Sequence, residues 1–180
     1  MYDVTSIQNL KKDVLYLVAK ASFEGTRPML LELQALVAPT NFGMARRTST
    51  GVDFNRVALL LAVLEKRIGL QIQNQDVYIN VVGGIKINEP SIDLGIVIAV
   101  ASSFRNIPIA YDVVVTGEVG LTGEIRAVSY IEKRIAECKK LGFKKIVIPR
   151  NNYEAVKDVK GIEIIPVDNL RQAINIVLRG

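Results

Sequence analysis

The alternation of apolar and polar positions divides the chain into short elements whose period changes along its length. Two β-favouring runs, DVLYLVAKA and MLLELQALV, flank FEGTRP, where Gly25 and Pro28 mark a turn, and together they predict a hairpin. The next fourteen residues, APTNFGMARRTSTG, carry no hydrophobic period and predict an exposed loop. After Asp53, a residue type that caps helices, Val57, Leu60, Leu61, Leu64 and Ile68 recur at the spacing of one buried helical face. A strand over DVYINVVGG follows and ends at its glycine pair, and Pro90 opens a helix carried through LGIVIAVASSF.

Further along, DVVVTG and EIRAV predict strands around Gly117, Gly120 and Gly123. Residues 130–141 predict an amphipathic helix on Ile131, Ile135, Cys138 and Leu141, and KKIVIP and IEIIPV predict strands. LRQAINIVL closes the chain as a helix that starts after Asp168 or Asn169. An early hairpin followed by strand–helix alternation predicts a two-layer, mixed α/β domain. The first dozen residues are polar and weakly patterned, so 1–12 read as a frayed linker remnant and 13–180 as the domain.

Composition narrows the chemistry. With 180 residues and 49% hydrophobic content the chain suits one domain. Its longest apolar run, LGIVIAVA, is far short of the roughly 20 residues of a membrane-spanning helix. The start lacks the order of a secretory signal, which makes the cytoplasm the expected compartment. There is no histidine and Cys138 is the sole cysteine, so the usual zinc combinations and an internal disulfide are excluded, and Cys138 reads as a core residue.

No GxxxxGK[ST] loop is present, and the glycines of GEVGLTGE do not fit the dinucleotide fingerprint; they read as tight-turn residues at positive φ. Without histidine there is no Ser-His-Asp triad or Cys-His pair, although composition leaves a Ser-Lys dyad open. The net charge of +5 suits a polyanionic partner and equally suits solubility.

Four long motifs carry a resemblance: EGTRPMLLELQALVAPTNFG, RRTSTGVDFNRVALLLAVLEKRIGL, QNQDVYINVVGGIKINEPSIDLGIVIAVASSFRN and TGEVGLTGEIRAVSYIEKRI. From about Glu24 to Pro149 the chain resembles the C-terminal domain of the RadA (Sms) family of bacterial DNA-repair ATPases, a domain itself similar to the proteolytic domain of Lon. The resemblance implies a Lon-like α/β fold and ring-shaped hexamers. It also implies a non-catalytic DNA-binding and assembly module of a branch-migration motor, whose DNA partner, single-stranded or branched, is bound without sequence preference. In that family a zinc finger and a RecA-like ATPase domain precede this region, so zinc, ATP and Mg belong to that part and no cofactor is expected in this chain.

Lon cleaves peptides with a Ser-Lys dyad. On the matched motifs, its serine position falls on Asp93, within Ile92, Asp93, Leu94 and Gly95, and its lysine position falls on Glu132. Peptide hydrolysis by a dyad needs a hydroxyl and a base, and two carboxylates supply neither, so the resemblance implies a pseudo-protease. Asp93 suits the positive end of a helix, and Glu132 is expected to face solvent or a neighbouring subunit. Ser91 and Lys133 lie near the two positions without an evident partnership. The alternatives are a residual serine peptidase and a structural ring module that binds no DNA.

The resemblance matches Arg27, Arg46, Arg56, Lys86 and Arg126 to the basic residues through which the family's domain contacts DNA. Local chemistry adds Arg47, since ARRTSTG sets two guanidiniums beside hydroxyls and a glycine; the same stretch also reads as a solvated basic loop. Arg56 reads either as a phosphate contact at a helix start or as a local ion pair with Asp53. Lys86 follows Gly83 and Gly84, whose missing side chains would let another backbone come close, and it also reads as an ordinary surface lysine. For Arg27 and Arg126, only the resemblance carries the inference. Lys133/Arg134, Lys139/Lys140 and Lys144/Lys145 alternate with a helix core face and read as solvated surface. With 6% aromatics and no tryptophan, base stacking is not evident, so contacts would be to phosphates.

Overall fold

The computed structural model describes residues 15–19, 27–41 and 43–179, so the expected linker remnant over 1–12 lies outside the described residues. In chain order the elements are β1 (Leu15–Ala19), β2 (Met29–Pro39), β3 (Arg47–Thr50), α1 (Phe54–Val63, prolonged by a π-helical turn Leu64–Ile68) and β4 (Gln75–Val81). A 3-10 turn, Pro90–Ile92, leads into α2 (Asp93–Arg105), then β5 (Val113–Val115), β6 (Glu118–Val119), β7 (Ile125–Arg126), α3 (Ile131–Lys140), β8 (Lys145–Pro149), β9 (Glu163–Val167) and α4 (Leu170–Arg179).

Among the described residues, seven strands form a mixed sheet in the order β3-β4-β2-β1-β5-β8-β9, and β6 and β7 form a small ribbon. β1 and β2 pair antiparallel from Leu15↔Leu33 to Ala19↔Met29, the hairpin that the two β-favouring runs predict. β1 then pairs parallel with β5, which joins the hairpin half to the parallel βαβ half.

The mixed α/β architecture follows from which face each strand residue takes. Leu31 and Leu33 of β2, Val77, Ile79 and Val81 of β4, Val113 and Val115 of β5 and Val147 of β8 share one core with α1, α2 and α4. The alternate residues Val114, Ile146 and Ile148 face the other way, into a second core with Ile131, Ile135 and Cys138 of α3 and with Phe143. A strand's period of two sends neighbouring residues to opposite faces, so the apolar runs of β5 and β8 serve helices on both sides. Helix α2 is buried over 93–102, which explains its uninterrupted apolar sequence as that of a central core helix. No helix among the described residues is long and apolar enough to cross a membrane.

The fourteen-residue stretch expected as loop contains β3, which pairs parallel with β4 from Arg47↔Val77 to Thr50↔Asn80. At the sheet edge its side chains are half-buried or exposed, so no apolar alternation is needed and none appears in the sequence. Polar contacts secure it instead. The backbone N–H of Arg46 donates to Asp76 Oδ1 at 2.7 Å, and Arg47 Nη2 donates to the Ile72 carbonyl at 2.7 Å.

Glycine roles also differ from expectation. Gly123 has φ +86, but Gly117 and Gly120 lack positive φ. A Cβ at Gly117 would meet Ile125 Cγ2 at 2.9 Å, and one at Gly120 would collide with the Glu124 carboxylate, so both are glycines for close approach. Gly83 and Gly84 are the reverse, with φ +94 and +70 and open space around them. At Gly51, φ is +84 and an added Cβ would lie 2.6 Å from the Ile85 carbonyl oxygen and 2.7 Å from Val81 Cβ. Gly51→Ala is therefore expected to destabilise by about 2–3 kcal/mol, from left-handed backbone cost plus overpacking. Gly83→Ala, which carries only the backbone cost, should lose about 1–2 kcal/mol. Urea unfolding midpoints of the two variants check this, and equal losses would contradict it.

Candidate functional site

Asp93 opens α2 with its side chain 0% exposed. Its carboxylate receives Arg56 Nε at 2.9 Å on Oδ1, Arg56 Nη2 on Oδ2, and the Val119 backbone N–H at 3.1 Å on Oδ2. The bidentate geometry suits the fork of a guanidinium. Arg56 reaches Asp93 from the first turn of α1, where Asp53 caps the helix by accepting the Arg56 backbone N–H at 2.9 Å. Asp53 thus binds the backbone of Arg56, and the ion pair formed by its side chain is with Asp93. Burial pushes the Asp93 carboxyl above its usual value, against the lowering effect of Arg56 and Val119. The hydrogen bond to Asp93 raises Arg56 further.

A second ion pair, with its arginine buried, lines the same cleft as the first. Arg134, on α3, is 1% exposed and pairs with Glu89. Its Nε donates to the Ser129 carbonyl at 2.9 Å and its Nη1 to Ser91 Oγ at 3.3 Å. The Ser91 carbonyl accepts the Gly117 N–H at 2.9 Å, and the Gly117 carbonyl accepts the Leu94 N–H at 3.1 Å. The turn that delivers Asp93 is thereby tied to α3. Arg134 is not the solvated residue expected from its basic neighbours. It stands at helical spacing with Ile131 and Cys138, and that spacing was the signal available for its burial.

Between the pairs, Asp53, Arg56, Asn88, Glu89 and Asp93 line a cleft of about 240 Å³. Ser91 is 3% exposed and its hydroxyl meets a guanidinium, a group that stays protonated and cannot take its proton. Lys133 Nζ lies 5.3 Å from the centre of the Tyr130 ring, and both Lys133 and Glu132 are exposed. Cys138 is buried and its thiol is pushed up to about 12, chiefly by burial, which leaves it protonated at neutral pH. Among the described residues no three of His, Cys, Asp and Glu come together to hold a metal ion.

The six basic positions separate into engaged and available side chains. Arg47 is bound to the carbonyls of Arg46, Ile72 and Gln75. Arg56 is held by Asp93. Arg126 is 56% exposed but pairs with Glu124 at 2.7 Å and Glu118 at 3.5 Å. Glu124 is held at about 2, first by the Thr122 hydroxyl and also by Arg126, so it remains a full anion beside that guanidinium. The three others, Arg27, Arg46 and Lys86, are exposed and have no ion pair among the described residues.

Arg46 precedes β3 and Lys86 lies beyond its far end, where the Ile87 N–H donates to the Gly51 carbonyl at 2.8 Å. Five residues of extended chain separate Arg46 from Gly51, roughly 16 Å. The two cations therefore bracket one sheet edge. Arg27 lies apart from them, in a groove with Lys133 and Lys140 of α3.

Residues 61–180 match the model of the Lon protease (S16) C-terminal proteolytic domain. Over 160 residues the chain is 56% identical to the DNA repair protein RadA of Bacillus subtilis, covering 89% of this chain and 35% of that protein. RadA of Halalkalibacterium halodurans is 54% identical over 88% of the chain and 35% of its own length. RadA of Listeria monocytogenes is 51% identical over 86% of the chain and 34% of its own length. The chain thus spans about a third of the length of these relatives.

Proposed function

Since the chain belongs to the Lon protease (S16) C-terminal proteolytic domain family, in the form carried by the DNA repair protein RadA, we propose that it is a non-proteolytic module that grips DNA phosphates and assembles into a ring within a cytoplasmic DNA-repair ATPase. One observation carries the non-proteolytic part. The position matched to Lon's nucleophile holds Asp93, buried and engaged on both oxygens by Arg56 and Val119. A carboxylate so held, buried and with three donors on it, is neither the hydroxyl nucleophile that a dyad needs nor a freely exposed one. Ser91 does not replace it, because its neighbour is Arg134 rather than a base.

DNA binding draws its support from similarity to RadA and from exposed cations whose side chains form no ion pair among the described residues. Arg46 and Lys86 are the contacts favoured along the β3 edge, with Arg27 as a separate contact. Arg47 and Arg56 serve the fold, and Arg126 has two carboxylates that would repel a phosphate. In a ring, weak contacts from each subunit would add through avidity. ATP, Mg and zinc chemistry would reside in the portion of the relatives that this chain does not span.

Fluorescence anisotropy with a labelled oligonucleotide over a salt series tests this. The chain should retain DNA at low salt, and the double variant Arg46→Ala/Lys86→Ala should flatten the log–log salt slope by about two, roughly one per lost phosphate contact. Hydrolysis of casein through an active-site serine, or absence of DNA retention at low salt, would contradict the reading.

A further inference from the structure

Helix α3 covers one side of the sheet over β5 and β8 and packs against Leu30 at the start of β2. Farther along β2 the same side is open to solvent. Gln34 is exposed there and Leu36 is 59% exposed; beside them, on β4 and β3, stand the half-buried Tyr78 and the exposed Asn80, Thr48 and Thr50. The strand registers set these side chains in rows. Thr48, Tyr78 and Leu36 lie directly across from one another over the three strands, and Thr50, Asn80 and Gln34 form the next row. Val77 and Ile79 turn the other way, into the core, because a strand's period of two alternates its faces.

This open face has an aromatic ring at its centre, an apolar neighbour on one side and uncharged polar side chains around it. The acid in the adjoining row, Asp76, is already engaged: its Oδ1 accepts the Arg46 backbone N–H at 2.7 Å and the Thr40 hydroxyl at 2.9 Å. Arg46 stands at one end of β3 and Lys86 beyond the other. With 6% aromatics and no tryptophan, the sequence shows no platform for base stacking. Pairing of β2, β3 and β4 makes one around a single tyrosine.

We infer that Tyr78 stacks on an unpaired nucleobase, so that this face selects single-stranded over duplex nucleic acid; the inference rests on the DNA-binding reading above and adds a base contact to the phosphate contacts of Arg46 and Lys86. Every base has a π-face, so a tyrosine ring holds one without reading sequence. In a duplex the base faces are stacked on each other and are not offered to a protein ring. A sheet that presents an aromatic on an inner strand is a recurrent surface for unpaired bases, with cations at its margin taking the phosphates. Leu36 and the Thr48 methyl widen the apolar floor under the base. The side-chain amides of Gln34 and Asn80, one row away, both donate and accept and can therefore meet the edge of any base. A stable protein partner would need a wider apolar centre than Leu36 and Tyr78 supply.

Fluorescence anisotropy with the 180-residue chain tests this on three labelled probes: an oligothymidylate, an abasic strand of the same length and a blunt duplex. The parent is expected to bind the oligothymidylate about tenfold more tightly than the abasic strand, which has the same phosphates and no base to stack. Tyr78→Thr keeps a strand-favouring residue at the position and should erase that preference. Its affinity for the abasic strand and the duplex, and its salt slope, should stay at the parental values, because no phosphate contact is lost. Tyr78→Phe should keep the preference. The stacking role is wrong if the parent binds the thymidylate and abasic strands equally, if Tyr78→Thr retains the preference, or if Tyr78→Thr weakens all three probes alike. In each of those cases the phosphate contacts stand or fall on the salt slope of Arg46→Ala/Lys86→Ala. Absence of DNA retention by the parent overturns both.

Discussion

Arg56→Ala is expected to lose about 3 kcal/mol of stability at neutral pH, read as a shift in the urea unfolding midpoint. Breaking a buried ion pair by removing one partner typically costs about 3–5 kcal/mol, because the remaining charge is left without solvent or counterion. The low end applies because Arg56 keeps 31% of its side chain exposed, so water can partly replace it, and because Val119 N–H still donates to Asp93. The loss should depend on pH with a definite sign. Burial already raises the folded Asp93 above its usual value, and Arg56 opposes that rise. Without Arg56 the folded carboxyl rises further, so the native variant binds a proton that the unfolded chain, titrating near about 4, has released. The contribution of Asp93 to the variant's stability is then greatest below about pH 4 and falls as pH rises through the elevated folded value. The deficit against the parent should shrink on acidification, and a deficit that grew towards pH 4 would contradict the role assigned to the pair. The double variant Arg56→Met/Asp93→Leu, which removes both charges, should recover most of the loss. DNA binding by Arg56→Ala should fall only in proportion to the unfolded fraction.

Arg134→Ala is expected to cost more, about 4 kcal/mol. Arg134 is 1% exposed, and its removal takes the guanidinium from the Glu89 carboxylate and the hydrogen-bond donors from the Ser129 carbonyl and the Ser91 hydroxyl. Arg134→Lys should restore less than half of this, since one ammonium cannot span Glu89, Ser91 and Ser129 as a guanidinium does. The effect has a local signature. Ser91 holds the Gly117 N–H through its carbonyl, so amide exchange at Gly117 should accelerate in Arg134→Ala before global unfolding does. A parent-like midpoint together with unchanged Gly117 exchange would show that α3 and the Pro90–Ile92 turn are held together by something other than this side chain.

These two arginines mark where reading along the chain stops being sufficient. In sequence Arg56 reads as a phosphate contact or a local partner of Asp53, and Arg134 as part of a solvated basic stretch, EKRIAECKK. Each instead crosses to an acid distant in the chain, over a separation of 37 residues for Arg56–Asp93 and 45 for Arg134–Glu89. Arg126 differs again: Glu124, two residues away, is in plain view, while its second partner Glu118 arrives only because β6 and β7 pair.

The sequence by itself determined the early hairpin, the helix on Val57, Leu60 and Leu61, the buried strands and the family. Periodicity and turn residues act within a few positions of one another, and long motifs carry descent directly. Through the resemblance it also led to the expectation that acids, Asp93 and Glu132, stand at the two positions matched to Lon's dyad. Only the tertiary structure decided that RTST is an edge strand, that α3 covers a second face of the sheet, and that Arg47, Arg56 and Arg134 work inside the molecule while Arg46, Lys86 and the α3 lysines remain outside. Whether a charge is spent on the fold or left for a partner depends on which distant backbone or carboxylate the folded chain brings within about 3 Å of it, and no local pattern encodes that distance.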